Sequence, residues 1–146
     1  MSTVNWMLQR KPSQSVWSIP PRASLAQAVK LLAEKNIGAL LVIEEGQVVG
    51  IISERDIVRA LFLSNGVTQQ TPVGEIMTRK VLYVRPEQTI DECMALMTDK
   101  RLRHLPVLEH DQLIGIISIG DVVKYSIDAR EFMIEQLVNY ITDRRS

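Results

Sequence analysis

Apolar and polar positions along this chain change period in a fixed order, and the order runs twice. Residues 16–19 read as a short strand that Pro20 and Pro21 break. Ser24 stands where a helix N-cap is expected, and Leu25, Ala28, Val29 and Leu32 follow at the i, i+3, i+4, i+7 spacing of one helical face. Gly38 is placed to stop that helix. Residues 39–43 form an unbroken apolar run suited to a buried strand. Residues 44–47 carry turn chemistry, with Gly46 able to take a positive φ, and residues 48–52 form the partner strand of a hairpin. Ser53 then caps a helix to about residue 63.

Shifted by 65 positions, residues 16–59 fall on residues 81–124 without a gap, and 14 of the 44 positions are identical. Thr89 takes the place of Ser24, and Ile90, Cys93, Met94 and Met97 replace the first apolar helix face. Residues 105–108 and 113–117 are the second hairpin, with Asp111 in its turn, and Ser118 caps the next helix. The expected organisation is an N-terminal arm over 1–15, a first repeat over 16–64, a connector and lead-in over 65–80, a second repeat over 81–127 and a C-terminal helix over 128–146. Phe132, Leu137, Val138 and Ile141 mark a stripe on that last helix, for packing on its own domain or for a dimer contact. Two related halves meet at a seam, and a seam is where both can hold one ligand.

Composition narrows the field. A chain of 146 residues buries enough surface to fold without a disulfide or metal staple. Seventeen basic and seventeen acidic residues leave a net charge of zero, against capture of nucleic acid or an anionic membrane. Cys93 is the one cysteine and suits a reducing compartment. The N-terminus lacks a signal-peptide core, and the longest purely apolar run, residues 39–43, is far too short to span a bilayer. A cytoplasmic location is expected.

Ser53-Glu54-Arg55-Asp56 admits two compatible readings. In one, Ser53 caps the helix and Asp56 sits favourably in its first turn. In the other, the free N–H groups and dipole of the helix start face a phosphate together with Ser53 and Arg55. Ionised Asp56, an acceptor only, then takes two hydrogen bonds from the vicinal diol of a ribose. Ser118-Ile119-Gly120-Asp121 repeats the pattern with glycine in place of Arg55. Glycine there costs roughly 0.5–1 kcal/mol against alanine, which close approach of a ligand explains and capping alone does not. Loss of the arginine points to a less charged or less tightly held ligand at the second copy.

No catalytic constellation emerges. His104, His110 and Cys93 have no metal-site spacing, Ser53 has no neighbouring histidine, and the glycines make neither a P-loop nor a dinucleotide fingerprint. Cys93 reads as a core thiol. The chain is expected to be no enzyme and to need no metal or cofactor.

Two β-α-β-β-α units, each closing on G-I-I-S-x-x-D, resemble a tandem pair of CBS domains, often called a Bateman module. The likeness extends to P-x-x-S-L-x-x-A over residues 21–28, RHLPV over 103–107 and EIMT before the second copy. The strings SERD and SIGDVV resemble stand-alone proteins made of one CBS pair. The resemblance implies an α/β fold whose two repeats pack through their sheets about a pseudo-twofold axis. It implies two clefts for adenine nucleotides or related adenosyl ligands (AMP, ADP, ATP, NAD(H)) as regulatory ligands. Carried over by position, one cleft joins Ser53, Arg55 and Asp56 to Val84, Arg103 and His104. The other joins Ser118, Gly120 and Asp121 to Ile19, Ile37, Gly38 and Ala39, where small residues leave room for an adenine ring. Without the resemblance, Arg103 reads as a solvated charge and His104 as a helix-terminus partner; Arg79 and Lys80, just before the second copy, read as solvated charges, with contact to a phosphate as the alternative. A homodimer and a separate regulated protein are the implied partners. The competing reading is an interaction protein whose clefts bind nothing.

Overall fold

The structure, a computed structural model, describes residues 2–12 and 16–145; positions 13–15 of the expected arm lie outside the described residues. The chain divides into two compact units, one over residues 15–82 and one made of the N-terminal segment with residues 83–146.

In the first of these, β1 (Ser18–Ile19) pairs parallel with β2 (Ala39–Glu44), which pairs antiparallel with β3 (Gln47–Ser53). Helix α2 (Leu25–Lys35) buries Leu25, Ala28 and Leu32, and α3 (Glu54–Leu63) buries Ile57 and Ala60. Both start on the expected serines. Ser24 Oγ accepts from Gln27 N–H at 3.1 Å, and Ser53 Oγ from Asp56 N–H at 3.1 Å. The end of α2 differs from expectation. Asn36, two residues before Gly38, takes the left-handed conformation (φ 53°), a role asparagine tolerates well. Glu45 and Gly46 both have positive φ, as a tight hairpin turn between right-twisted strands requires. The core gathers Ile19, Leu40, Val42, Ile52 and Ile57 with Val73 and Met77 from a 3-10 helix (Val73–Glu75) and the residues after it.

The other unit repeats the plan with α4 (Ile90–Lys100), β4 (His104–Glu109), β5 (Gln112–Ser118) and α5 (Ile119–Arg145). Its first strand is reduced to one parallel bridge, Val84 to Val107. Pro106 explains this. Its counterpart Leu41 donates its N–H to Trp17 O at 3.3 Å, and proline has no N–H to donate. Helix α5 runs unbroken for 27 residues, about 40 Å, through the boundary expected near residue 127. No glycine or proline follows Gly120 to end it. Among the described residues no helix is long and apolar enough to cross a membrane.

Within the expected N-terminal arm, residues 4–10 are helical. Thr3 caps α1 (Val4–Arg10), which buries Val4, Met7 and Leu8 against the second repeat. The lead-in of the second repeat, Val73 onward, does the same for the first repeat. Val4, Asn5 and Ile90 N–H donate to Gln88, Pro86 and Ser2 O at 2.8, 2.9 and 3.0 Å. Val73, Gly74 and Leu25 N–H donate to Ala23, Pro21 and Thr71 O at 2.7, 2.8 and 3.0 Å. These are the same three bonds at equivalent positions. Each unit thus contains one repeat and the lead-in that precedes the other.

Candidate functional site

Each repeat builds a compact cluster where its last strand enters its last helix. In the first, Ala39 stands opposite Ser53 in the β2–β3 register, and Glu54 N–H donates to Gly38 O at 3.0 Å. Gly38, Ala39, Ser53, Arg55 and Asp56 are therefore neighbours at one end of the sheet. Ser53 N–H donates to Asp56 Oδ2 at 2.9 Å, closing a reciprocal capping box. Arg55 is exposed one residue before Asp56. Ile37 is half-buried just ahead of β2, and Ile19 is buried at the end of β1. An open hollow beside β1 and α2, lined in part by Pro20, Arg22, Gln27 and Lys30, contains Ile19 alone of the expected residues.

The second cluster follows the same geometry. His104 stands opposite Ser118, and Ile119 N–H donates to Arg103 O at 2.8 Å. Ser118 N–H donates to Asp121 Oδ2 at 2.8 Å, and Asp121 N–H to Ser118 Oγ at 3.0 Å. Val84 is fully buried, and its N–H and C=O are taken by Pro106 O and Leu108 N–H. Within its unit it therefore presents neither surface nor a free N–H to a ligand, contrary to the expected lining role. A Cβ on Gly120 would meet only Ser118 Oγ, at 3.6 Å, so the chain's own packing does not require glycine there.

The sequence reading missed Lys11. Its ammonium lies 2.9 Å from Asp121 Oδ2 and 2.8 Å from Ile116 O, with 21% of each side chain of the pair exposed. Burial alone would raise the Asp121 carboxyl. The Lys11 hydrogen bond, the bonds from Ser118 and the lysine charge outweigh it and hold the group below its ordinary value. A cation thus stands beside the second acid after all, supplied from outside the repeat. The available signal was the match of VNWMLQRK, residues 4–11, to VGEIMTRK, residues 73–80, with Val, Arg and Lys aligned. A different spacing to each repeat, 69 positions against 65, conceals it.

Other reactive groups are inert or scattered. Burial, with the nearby Glu92 charge, pushes the Cys93 thiol up to about 11, so no thiolate forms near neutral pH. Among the described residues no three His, Cys, Asp or Glu side chains are placed to hold a metal ion.

The CBS domain profile matches residues 10–63 and 73–128. The chain belongs to the CBS domain family. The solved structure of a protein with CBS domains from Burkholderia ambifaria is 48% identical, with a TM-score of 0.83 over 87% of this chain and 95% of that one. The mitochondrial CBS domain-containing protein CBSX3 of Arabidopsis thaliana is 40% identical over 119 residues, 78% of this chain. The match spans 58% of that relative's length. The solved structure of CBSX2 in complex with AMP is 29% identical, with a TM-score of 0.74 over 89% of this chain and 99% of that one. This protein is a CBS pair of mixed α/β structure.

Proposed function

We propose that this CBS pair is a regulatory module that binds an adenine nucleotide or related adenosyl ligand and signals its occupancy to another protein. The observation that carries the reading is the recurrence of one arrangement in both repeats. A serine caps a helix, and the aspartate three residues on keeps one carboxylate oxygen outside the cap bond. Asp56 and Asp121 each use Oδ2 for the cap, which leaves Oδ1 for a ribose diol. Exposed Arg55 suits the phosphate; the expected N–H groups of the helix start do not, because Glu54 and Asp56 N–H already donate to Gly38 O and Ser53 Oγ. The AMP complex of a related CBS protein supports the ligand class. The joining of each cluster with residues of the other repeat rests on the family resemblance alone.

Calorimetry and thermal melting against AMP, ADP, ATP, NAD, NADH and S-adenosylmethionine test the reading. A ligand selective for the native state stabilises it by about 2.7 kcal/mol at a hundredfold excess over Kd. Absence of heat and of any melting shift with millimolar amounts of all six overturns it.

One observation favours the second reading, an interaction protein. Phe132, Met133, Ile134, Leu137, Val138, Tyr140 and Ile141 on α5 are each more than half exposed. The expected packing of this stripe on its own domain is therefore not what the structure has. A homodimer contact through α5 is compatible with ligand sensing and gives occupancy a route to assembly.

A further inference from the structure

We propose that Lys11 is a ligand-specifying residue of the second repeat, its ammonium enabling the Ser118–Asp121 cluster to accept a phosphate-bearing ligand. The inference rests on the ligand-binding reading of that cluster.

An ionised aspartate at a helix start attracts a ribose diol but repels phosphate. In the first repeat Arg55, adjacent to Asp56, offsets that charge. In the second repeat the same position is Gly120, which has no side chain to do so. Lys11 stands 2.9 Å from Asp121 instead, arriving from α1 and not from the repeat. Both side chains of the pair are largely removed from water, where a unit charge acts more strongly than on the surface. With the lysine the pair is neutral; without it the half-buried Asp121 carboxylate loses its ion-pair partner.

The placement is specific to the repeat that lacks the arginine. Lys80 aligns with Lys11 in the other lead-in, yet it has no ion pair with Asp56. The two lead-ins diverge for a traceable reason. Pro72 stands where Thr3 caps α1 and supplies no capping oxygen, so the helix in that lead-in is a single 3-10 turn. The chain then extends, and Thr78 and Ile51 exchange backbone bonds of 2.9 and 3.0 Å. In the other unit α1 stays helical to Arg10, and the carbonyl of Ile116, counterpart of Ile51, accepts from the Lys11 ammonium. Tyr125 secures the helix end through its hydroxyl, which donates to Arg10 O at 3.3 Å. Lys11 does not block the acid. It shares Oδ2 with the cap bond of Ser118, on the opposite carboxylate oxygen from the one left for a diol.

The experiment is calorimetry of the full chain with AMP and with adenosine, which lacks the phosphate. Lys11→Gln keeps a donor for Ile116 O and removes the charge; Lys11→Arg keeps the charge. Lys11→Gln is expected to lose about tenfold or more in AMP affinity at one site and less than about threefold for adenosine. Lys11→Arg is expected to restore AMP binding, and melting curves of both variants show that the fold is intact. AMP affinity unchanged in Lys11→Gln but weakened in Asp121→Asn overturns the inference and leaves the cluster reading standing. Equal losses for AMP and adenosine in both lysine variants also overturn it, because they mark a role in the fold alone. Asp121→Asn with no effect on either ligand fails the cluster reading itself, and the inference falls with it.

Discussion

Lys11 and Asp121, 110 positions apart in the chain, form an ion pair of 2.9 Å that ties the N-terminal helix to the start of the last one. Asp121 is the acid that the Ser-x-x-Asp pattern singles out, so the pair links a structural clasp to the candidate site. The carboxyl is held below its ordinary value of 3.8, and its folded form therefore favours the charged state. Its contribution to stability is fully present above that value and is lost as pH falls through the depressed one. Lys11→Met is expected to destabilise the chain by about 1–3 kcal/mol near neutral pH, leaving the acid and the Ile116 carbonyl without their cation. The gap should narrow as pH falls from 3.8 through the depressed value, where the acid of the folded, unmodified chain takes up a proton. Urea unfolding of both proteins across that range checks this. A gap that stays constant with pH means the ion pair adds nothing.

Gly50 and Gly120 are expected to respond in opposite ways to alanine. A Cβ at Gly50 would come within 2.5 Å of Met77 Sδ and 2.9 Å of Thr78 O, so the lead-in would have to lift off β3. Gly50→Ala should cost about 1–3 kcal/mol by overpacking. Gly120→Ala should be neutral or stabilise the helix by up to about 1 kcal/mol, since only Ser118 Oγ is near. Equilibrium unfolding of both variants decides. Destabilisation by Gly120→Ala would show that the chain itself needs glycine there and would remove a reason to see a ligand at that turn.

The exposed stripe of α5 makes a claim about assembly. Ile134→Glu places a charge on the stripe of Leu137, Val138 and Ile141 at a position more than half exposed, and should leave the melting temperature of a monomer unchanged. If α5 joins two copies, light scattering should report a dimer for the unmodified chain and a monomer for the variant. A monomer in both, across the micromolar range, counts against the α5 contact.

The repeated periods made most of the fold legible. The four caps Ser24, Ser53, Thr89 and Ser118 and both hairpin turns stand where the pattern put them. Local chemistry decides such features, and sequence displays local chemistry. Two of the misses have a different, non-local cause. The loss of the first strand of the second repeat follows from the missing N–H of Pro106, an effect visible only once its pairing partner is known. The continuity of α5 was readable from the lack of a breaker after Gly120, but the repeat suggested a boundary there. Lys11 had a signal in the match of residues 4–11 to 73–80, but its partner lies 110 positions along the chain and no local pattern names it. The Thr3 cap and the i, i+3, i+4 spacing of Val4, Met7 and Leu8 mark α1 locally, a pattern that the reading of residues 1–15 as an arm passed over.

The central claim is that Asp56 and Asp121 serve a ligand as well as a helix, and the AMP affinity of Asp56→Asn with Asp121→Asn tests it most directly. Asparagine retains size and some capping ability and removes the charge. Loss of charge-assisted bonds to a ribose diol should remove about 1.5–3 kcal/mol of binding per site, roughly 10- to 150-fold in affinity. The unfolding free energy attributable to the Asp56 cap should change by much less, about 0.3–1 kcal/mol. AMP bound by the double variant as tightly as by the unmodified chain would contradict the claim and leave both residues as helix caps alone.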